Sequence, residues 1–254
     1  MANENSSRKV YNGTSEMLAD VGSTNINFCV GSNQVVDMML NLLASASKHD
    51  VQLVVFALDE KTVHALRGKC VLVRYYKDQG RQSNPNHFYA FGTRSFRDVI
   101  WQRFFIGHKI LTAGKTFIYM DVDVVIQDNF VPHVLSHYKG GKVDCVMQDS
   151  ENETCCTGFF SMAPSVRTLA LDKSFYTSRG SERFTTNQNF FHHHVTKKGL
   201  LLLRRLPKDL YPVGKHYYDN YSRIDRLCKI IHFNCLRGHD VKVEAMKRYG
   251  KWCI

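Results

Sequence analysis

Val51 to Leu58 is apolar at every position except Gln52. The run falls well short of the ~18 residues a membrane span needs and has the length of one strand. A strand with one wet face alternates apolar and polar side chains, so a run unbroken from Leu53 to Leu58 belongs in a sheet covered on both faces. Ile26 to Val30, Cys70 to Tyr75 and Thr116 to Met120 are shorter runs of strand character. Between them, Val35, Val36, Met39, Leu40, Leu43 and Ala46 recur at helical spacing, after turn residues at Gly31-Ser32-Asn33 that also offer an N-cap. Asp59 to Arg67 reads as a short helix. Phe96 to Ala113 reads as a long amphipathic one stopped by Gly114, after a polar loop over Lys77 to Thr93. This β-α-β-α order predicts an α/β fold with a parallel sheet between helices.

The second half is less regular. Strands are expected at Val143 to Met147, Gly158 to Met162, Leu200 to Leu206 and Lys229 to His232. Helices are expected at Ser165 to Tyr176, Asn187 to Val195 and Asp240 to Tyr249. Residues 1–24 are rich in Ser, Asn and Gly without periodicity and are expected to be a frayed, flexible arm. No linker divides residues 25–254, so they read as one domain.

The chain has 34 Lys and Arg against 23 Asp and Glu, a formal charge of +11. An excess of that size points to an anionic partner: nucleic acid, a phosphorylated ligand or an acidic membrane surface. The basic residues are scattered and no RRM, KH or zinc-finger signature is present, which argues against nucleic acid. Met1 is followed by polar residues with no signal-peptide core, so the expectation is a soluble, cytoplasmic protein without a transmembrane segment. None of the eight cysteines forms a C-x-x-C pair, which removes a structural zinc site. Cys29, Cys70 and Cys145 read as buried small hydrophobes, and Cys155-Cys156 as two reduced thiols at a strand start.

The most informative segment is Thr116-Phe-Ile-Tyr-Met-Asp121-Val-Asp123-Val-Val. An apolar strand runs into two aspartates at i and i+2, which in extended chain point to one side. They would converge at the carboxyl end of a central strand, where open α/β sheets bind ligands. Two close carboxylates repel unless a cation lies between them, and oxygen ligands suit Mg²⁺ or Mn²⁺ with phosphate oxygens completing the shell.

Tyr119-Met-Asp121-Val-Asp123-Val-Val resembles the D-x-D motif of metal-dependent glycosyltransferases with the GT-A fold. More specifically it is similar to the nucleotide-diphospho-sugar transferases of glycosyltransferase family 77, with the glycogenin-like family 8 more distant. The resemblance spans about residues 26–252 and implies a mixed central sheet, with residues 25–130 as the nucleotide-binding half and 131–254 as the acceptor half. It places Val30, Gly31 and Ser32 at the uracil and ribose, Asp59 at the end of the second strand, and Arg103 near the nucleotide. Thr157-Gly158-Phe159-Phe160 looks like the family's N-T-G-F segment with Cys156 where Asn is usual. Asn187-Gln188 resembles a D-Q pair facing the donor sugar, with Asn in place of Asp. His232-Phe-Asn-Cys-Leu-Arg-Gly238-His-Asp-Val-Lys242 matches the closing H-x-N…G…K signature. That implies His232 as third metal ligand beside Asp121 and Asp123, Lys242 at the diphosphate with Arg237 assisting, and Val122 and Gly238 among the residues that bind the nucleotide sugar.

The activity implied is transfer of a sugar from a UDP-sugar to a hydroxyl of a glycan or glycoprotein acceptor, with retention. An imidazole ligand favours Mn²⁺, with Mg²⁺ as the alternative. Gln188 would face the anomeric carbon and Asn187 the sugar hydroxyls; Asp149, or Glu151, would be the base of an inverting enzyme. The departures at Asn187 and Cys156 leave open an inactive sugar-nucleotide binder. Membrane-anchored Golgi relatives leave open a trimmed lumenal catalytic domain.

Overall fold

A computed structural model of the chain describes residues 8–78, 94–150, 155–171 and 187–254. Residues 79–93 of the expected loop, residues 172–176 of the helix expected over Ser165 to Tyr176, and Glu151 lie outside the described residues. The strands are β1 (Val10–Tyr11), β2 (Asn25–Gly31), β3 (Val54–Ala57), β4 (Val71–Arg74), β5 (Thr116–Met120), β6 (Val124–Ile126), β7 (Cys145–Asp149), β8 (Cys155–Met162), β9 (Leu203–Arg205) and β10 (Ile230–His232). The helices are α1 (Thr14–Asp20), α2 (Val36–Lys48), α3 (Glu60–Leu66), α4 (Tyr75–Asp78), α5 (Arg94–Thr112), α6 (Val131–Ser136), α7 (166–171), α8 (Asn187–Phe191), α9 (Gly214–Ile224) and α10 (His239–Arg248). A π-helical turn, His192–Lys197, prolongs α8.

Eight strands form one mixed sheet in the order β1-β4-β3-β2-β5-β8-β7-β9. The first five in that order run parallel, β8 is antiparallel to both neighbours, and β9 is parallel to β7. Consecutive residues of the central strands serve opposite faces, as strand geometry requires. Phe28, Phe56, Phe117, Tyr119 and Phe160 pack on one side with α5 and α8 residues. Cys29, Val55, Ile118, Met120 and Phe159 pack on the other with residues of α2 and α6. Phe28 meets Phe56 and Phe117 edge-on at 5.4 and 5.6 Å between ring centroids. α5 lies close on the sheet because Gly107 faces Phe117, where a Cβ would come within 2.8 Å of the ring. It ends at Gly114, whose φ of 72° suits glycine.

The N-terminal expectation needs correction. Residues 10–20 are built into the fold rather than frayed: β1 extends the sheet beside β4, and Tyr11 and Met17 are fully buried. The Tyr11 hydroxyl donates to Asp20 at the end of α1, closing the segment on itself. A two-residue strand and a seven-residue helix are too short for hydrophobic periodicity to register.

A second, two-stranded sheet positions the site. β10 runs antiparallel to β6, setting His232 opposite Val124. β6 is held to α2 where the Ile126 N–H donates to Ser45 Oγ at 3.1 Å. Behind it, α9 and α10 enclose a third core of Tyr217, Ile224, Phe233 and Met246. No helix among the described residues is long and apolar enough to cross a membrane.

Candidate active site

β5 ends at Met120, and the chain turns through Asp121-Val122-Asp123 into β6. The Asp121 N–H donates to Gly158 O at 2.7 Å, and the Val124 N–H closes the turn on Asp121 O at 3.2 Å. Asp121 is partly exposed and Asp123 buried. The Phe233 N–H donates to Asp123 O at 2.9 Å, bringing β10 alongside. His232 Nε2 thereby lies 3.3 Å from Asp123 Oδ1 and 3.8 Å from Asp121 Oδ2.

These three residues offer two carboxylate oxygens and one imidazole nitrogen, all within 4.8 Å of one another. That donor set fits a divalent cation that takes oxygen and nitrogen ligands. Gly158 keeps the space between them open. A Cβ there would sit 2.1 Å from His232 Cε1 and 2.7 Å from Asp121 Oδ2, so any other residue would push the ligands apart.

Cationic side chains lie against both carboxylates. Arg103, reaching from α5, places Nη1 3.0 Å from Asp121 Oδ1 and donates to Thr157 O at 2.8 Å and Ile100 O at 2.9 Å. Its guanidinium lies 4.6 Å from the Tyr119 ring centroid, and the Tyr119 hydroxyl donates to Asp121. Burial opposes the charge on Asp123, but Lys242 and His232 outweigh it and hold the carboxyl far below the usual carboxylate range. Burial also opposes protonation of His232; Asp123 and Cys156 reverse that and lift the imidazole well above its ordinary value.

The triad forms the floor of a cleft of about 700 Å³, a size typical of small-ligand sites. Val30, Val35, Met38 and Ile100 contribute apolar lining, and Arg237, His239 and Lys242 contribute basic side chains. A model of the nucleotide-diphospho-sugar transferase family matches residues 48–246 of the chain, from the start of the second βα unit to the last helix.

The chain belongs to this family.

A UDP-galactose:fucoside alpha-3-galactosyltransferase of Dictyostelium discoideum is 22% identical over 191 residues. That match covers 65% of this chain but only 29% of the Dictyostelium protein. Among solved structures, a glycosyltransferase involved in glycosylating the major capsid of PBCV-1 aligns with a TM-score of 0.55 at 10% identity, covering 88% of this chain and 98% of that one. The bifunctional glycosyltransferase WbbM aligns with a TM-score of 0.58 at 10% identity, covering 92% and 53%. GlyE of Streptococcus pneumoniae TIGR4 aligns with a TM-score of 0.56 at 10% identity, covering 88% and 59%. The shared fold is the GT-A fold expected from the motif.

Most residues expected at the site of this family member meet in the cleft: Val30, Gly31, Ser32, Arg103, Asp121, Val122, Asp123, Gln188, His232, Gly238 and Lys242 all line it. Two expected residues have other partners. Asp59 caps α3, accepting from Thr62 N at 2.8 Å, and its other oxygen accepts from Asn33 N at 3.0 Å. It stands behind the Gly31-Ser32 loop and braces it rather than lining the cleft. Asp149 ends β7 in ion pairs with Arg205 at 2.7 Å and Lys208 at 3.5 Å, and is not among the residues lining the cleft. The Asn187 side chain lies outside what is described.

Sequence reasoning did not single out Tyr119 or Gln148. Tyr119 could have been found, because position i−2 on a strand shares the face of Asp121. Gln148 carries no such signal beyond being a polar residue next to an apolar strand. Cys156, standing at the start of β8 as expected, is buried with Sγ 3.5 Å from His232 Nδ1.

Proposed function

We propose that the protein is a metal-dependent glycosyltransferase that moves a sugar from a UDP-sugar to a hydroxyl of a glycan or glycoprotein acceptor, with retention of configuration. The observation that carries this reading is the convergence of Asp121, Asp123 and His232 at the carboxyl end of β5, on the floor of a cleft large enough for a nucleotide sugar. The donor named for the Dictyostelium relative supports a uridine nucleotide.

Asp121, Asp123 and His232 would hold Mn²⁺, with Mg²⁺ the alternative, and a bound cation supplies electrostatic stabilisation of the departing diphosphate. Lys242 lies beside Asp123 and Arg237 opens onto the cleft, so both are placed to neutralise phosphate oxygens. Arg103, paired with Asp121 at 3.0 Å, holds that carboxylate in place. Val30 and Ile100 offer apolar surface against which the base of the nucleotide would pack. Gln188 lines the cleft, where its amide would orient the donor sugar.

Among the described residues lining the cleft, the only carboxylates are Asp121 and Asp123, both committed as ligands. Asp149 is paired with Arg205 and Lys208 and does not line the cleft, so it is not placed to take a proton from an acceptor there. Both observations support retention, in which the leaving phosphate takes the acceptor proton.

Calorimetry of UDP with and without Mn²⁺ tests the reading first. Metal-dependent UDP binding is expected, and its absence would sink the proposal. A panel of UDP-sugars then identifies the donor and separates an active enzyme from a binder. Asp123→Asn and His232→Ala should each abolish turnover in a folded protein; activity retained in both would refute the metal centre.

A further inference from the structure

Gln148 is fully buried at the point where the pairing of β7 with β8 shifts register, between Met147 and Gln148. Such an irregularity re-aims a side chain, and here the amide leaves the sheet toward the loop before α9. Its Nε2 donates to Tyr211 O at 3.1 Å and to Pro212 O at 2.9 Å. A carboxamide nitrogen has two hydrogens, and both are spent on carbonyl oxygens that can only accept. The amide therefore cannot flip, and Oε1 is the atom presented to His232 Nδ1, 2.9 Å away.

From this geometry we infer that Gln148 is the positioning residue of the metal centre: it holds the proton of His232 on Nδ1 and thereby keeps Nε2 as the ligand atom. In a neutral imidazole one nitrogen donates and the other carries the lone pair. With Oε1 accepting from Nδ1, the lone pair falls on Nε2, the nitrogen that faces Asp121 and Asp123. Metal-binding histidines are commonly fixed by such an acceptor. Cys156 Sγ is a weaker and more distant candidate at 3.5 Å, and it already receives Asn234 Nδ2 at 3.6 Å.

The backbone joins both partners to one anchor. Pro212 O, which accepts from Gln148, also accepts from the His232 N–H at 3.2 Å. The side chain that orients the ring and the strand that carries it thus hang from the same carbonyl.

This inference rests on the metal centre proposed above, so the experiment reads the two separately. Mn²⁺ affinity is measured in the presence of UDP by electron paramagnetic resonance of free Mn²⁺, without turnover. Wild type should bind. Gln148→Met, which keeps the volume but removes the acceptor, should weaken Mn²⁺ binding by about 10–100-fold. Gln148→Glu keeps an acceptor for Nδ1 but sets its second oxygen against the Tyr211 and Pro212 carbonyls, so it should bind Mn²⁺ more tightly than Gln148→Met and less tightly than wild type, whereas a purely packing role would favour the methionine. No Mn²⁺ binding by wild type would defeat the metal centre and this role with it. Wild type binding alongside equal binding by a folded Gln148→Met would defeat the role of Gln148 alone. Should the variants fail to fold, ¹⁵N NMR of wild type loaded with Zn²⁺ and UDP decides: a proton on His232 Nδ1 is expected, and a proton on Nε2 would overturn the assignment.

Discussion

Lys242 Nζ lies 2.6 Å from Asp123 Oδ2, joining residues 119 apart in sequence. The other oxygen of the same carboxylate faces His232, so each oxygen of this buried group has a cationic neighbour. Burying a lone carboxylate costs several kcal/mol, and pairing it is what makes the position tolerable. The lysine reaches the metal centre from the first turns of α10, at the mouth of the cleft, where a diphosphate would also lie.

Lys242→Met should therefore have two effects. UDP affinity in the presence of Mn²⁺ should fall about tenfold or more, as expected for loss of one charge-assisted bond. The metal-free protein should also melt at lower temperature, because Asp123 loses its nearest cation. Calorimetry and a thermal scan without metal check both; unchanged UDP affinity would remove Lys242 from the donor site.

Gly158→Ala should damage the centre without touching a ligand. The added methyl would fall 2.1 Å from His232 Cε1, so the ring and Asp121 must separate. A displacement near 1 Å at a reacting centre typically costs about a hundredfold in rate. The expected result is that loss in kcat together with weaker Mn²⁺ binding, while circular dichroism stays native. Normal Mn²⁺ binding by the variant would show that the ligands do not need this gap.

Asp209 provides a pH test away from the cleft. It accepts both terminal nitrogens of Arg223, at 2.6 and 3.0 Å, and His216 at 2.8 Å, fastening α9 to the preceding loop. Arg223 foremost, then His216, holds its carboxyl at about 2. A folded-state value below the unfolded one contributes stability above about pH 4 and loses it as pH falls through about 2. Asp209→Asn should thus be slightly less stable than wild type near pH 6, with the difference closing toward pH 2. The effect should be small and salt-sensitive, since the Asp209 and Arg223 side chains are exposed. Urea titrations at the two pH values measure it; a difference that persists near pH 2 would contradict the pairing.

Tyr11→Ala tests whether the N-terminal segment belongs to the fold. The ring is fully buried against the sheet edge, and truncating a buried aromatic costs about 3 kcal/mol or more. Equilibrium unfolding of the variant should show that loss. Stability equal to wild type would return the segment to the status of an arm.

How much of this was legible in the sequence depended on how locally each feature is determined. The central strands were readable because each is buried on both faces, and β5 announced the site because its apolar run stops at two aspartates with the same side-chain direction. β3 is shorter than expected: Val51 and Leu53 are buried by packing and precede the ladder. β1 and α1 are short elements that take their order from β4 and from the Tyr11–Asp20 contact, which no local pattern encodes. α9 escaped notice because its sequence, GKHYYDNYSRI, is polar overall and buries mainly through Tyr217 and Ile224. Asp59 and Asp149 stand at strand ends as donor-site carboxylates would, yet each satisfies a nearby structural need. Gln148 could not be found at all, since its role depends on a shift in strand register and on two carbonyls more than sixty residues downstream.

The pairing of β10 with β6 also sets a timetable. During synthesis a nascent chain long enough to fold the parallel half already carries Asp121 and Asp123, yet lacks the strand that brings His232 and the helix that brings Lys242. Until residue 242 has left the ribosome, two acidic groups face each other beside a single arginine. The centre therefore cannot be complete until the segment from β10 to α10 has been synthesised.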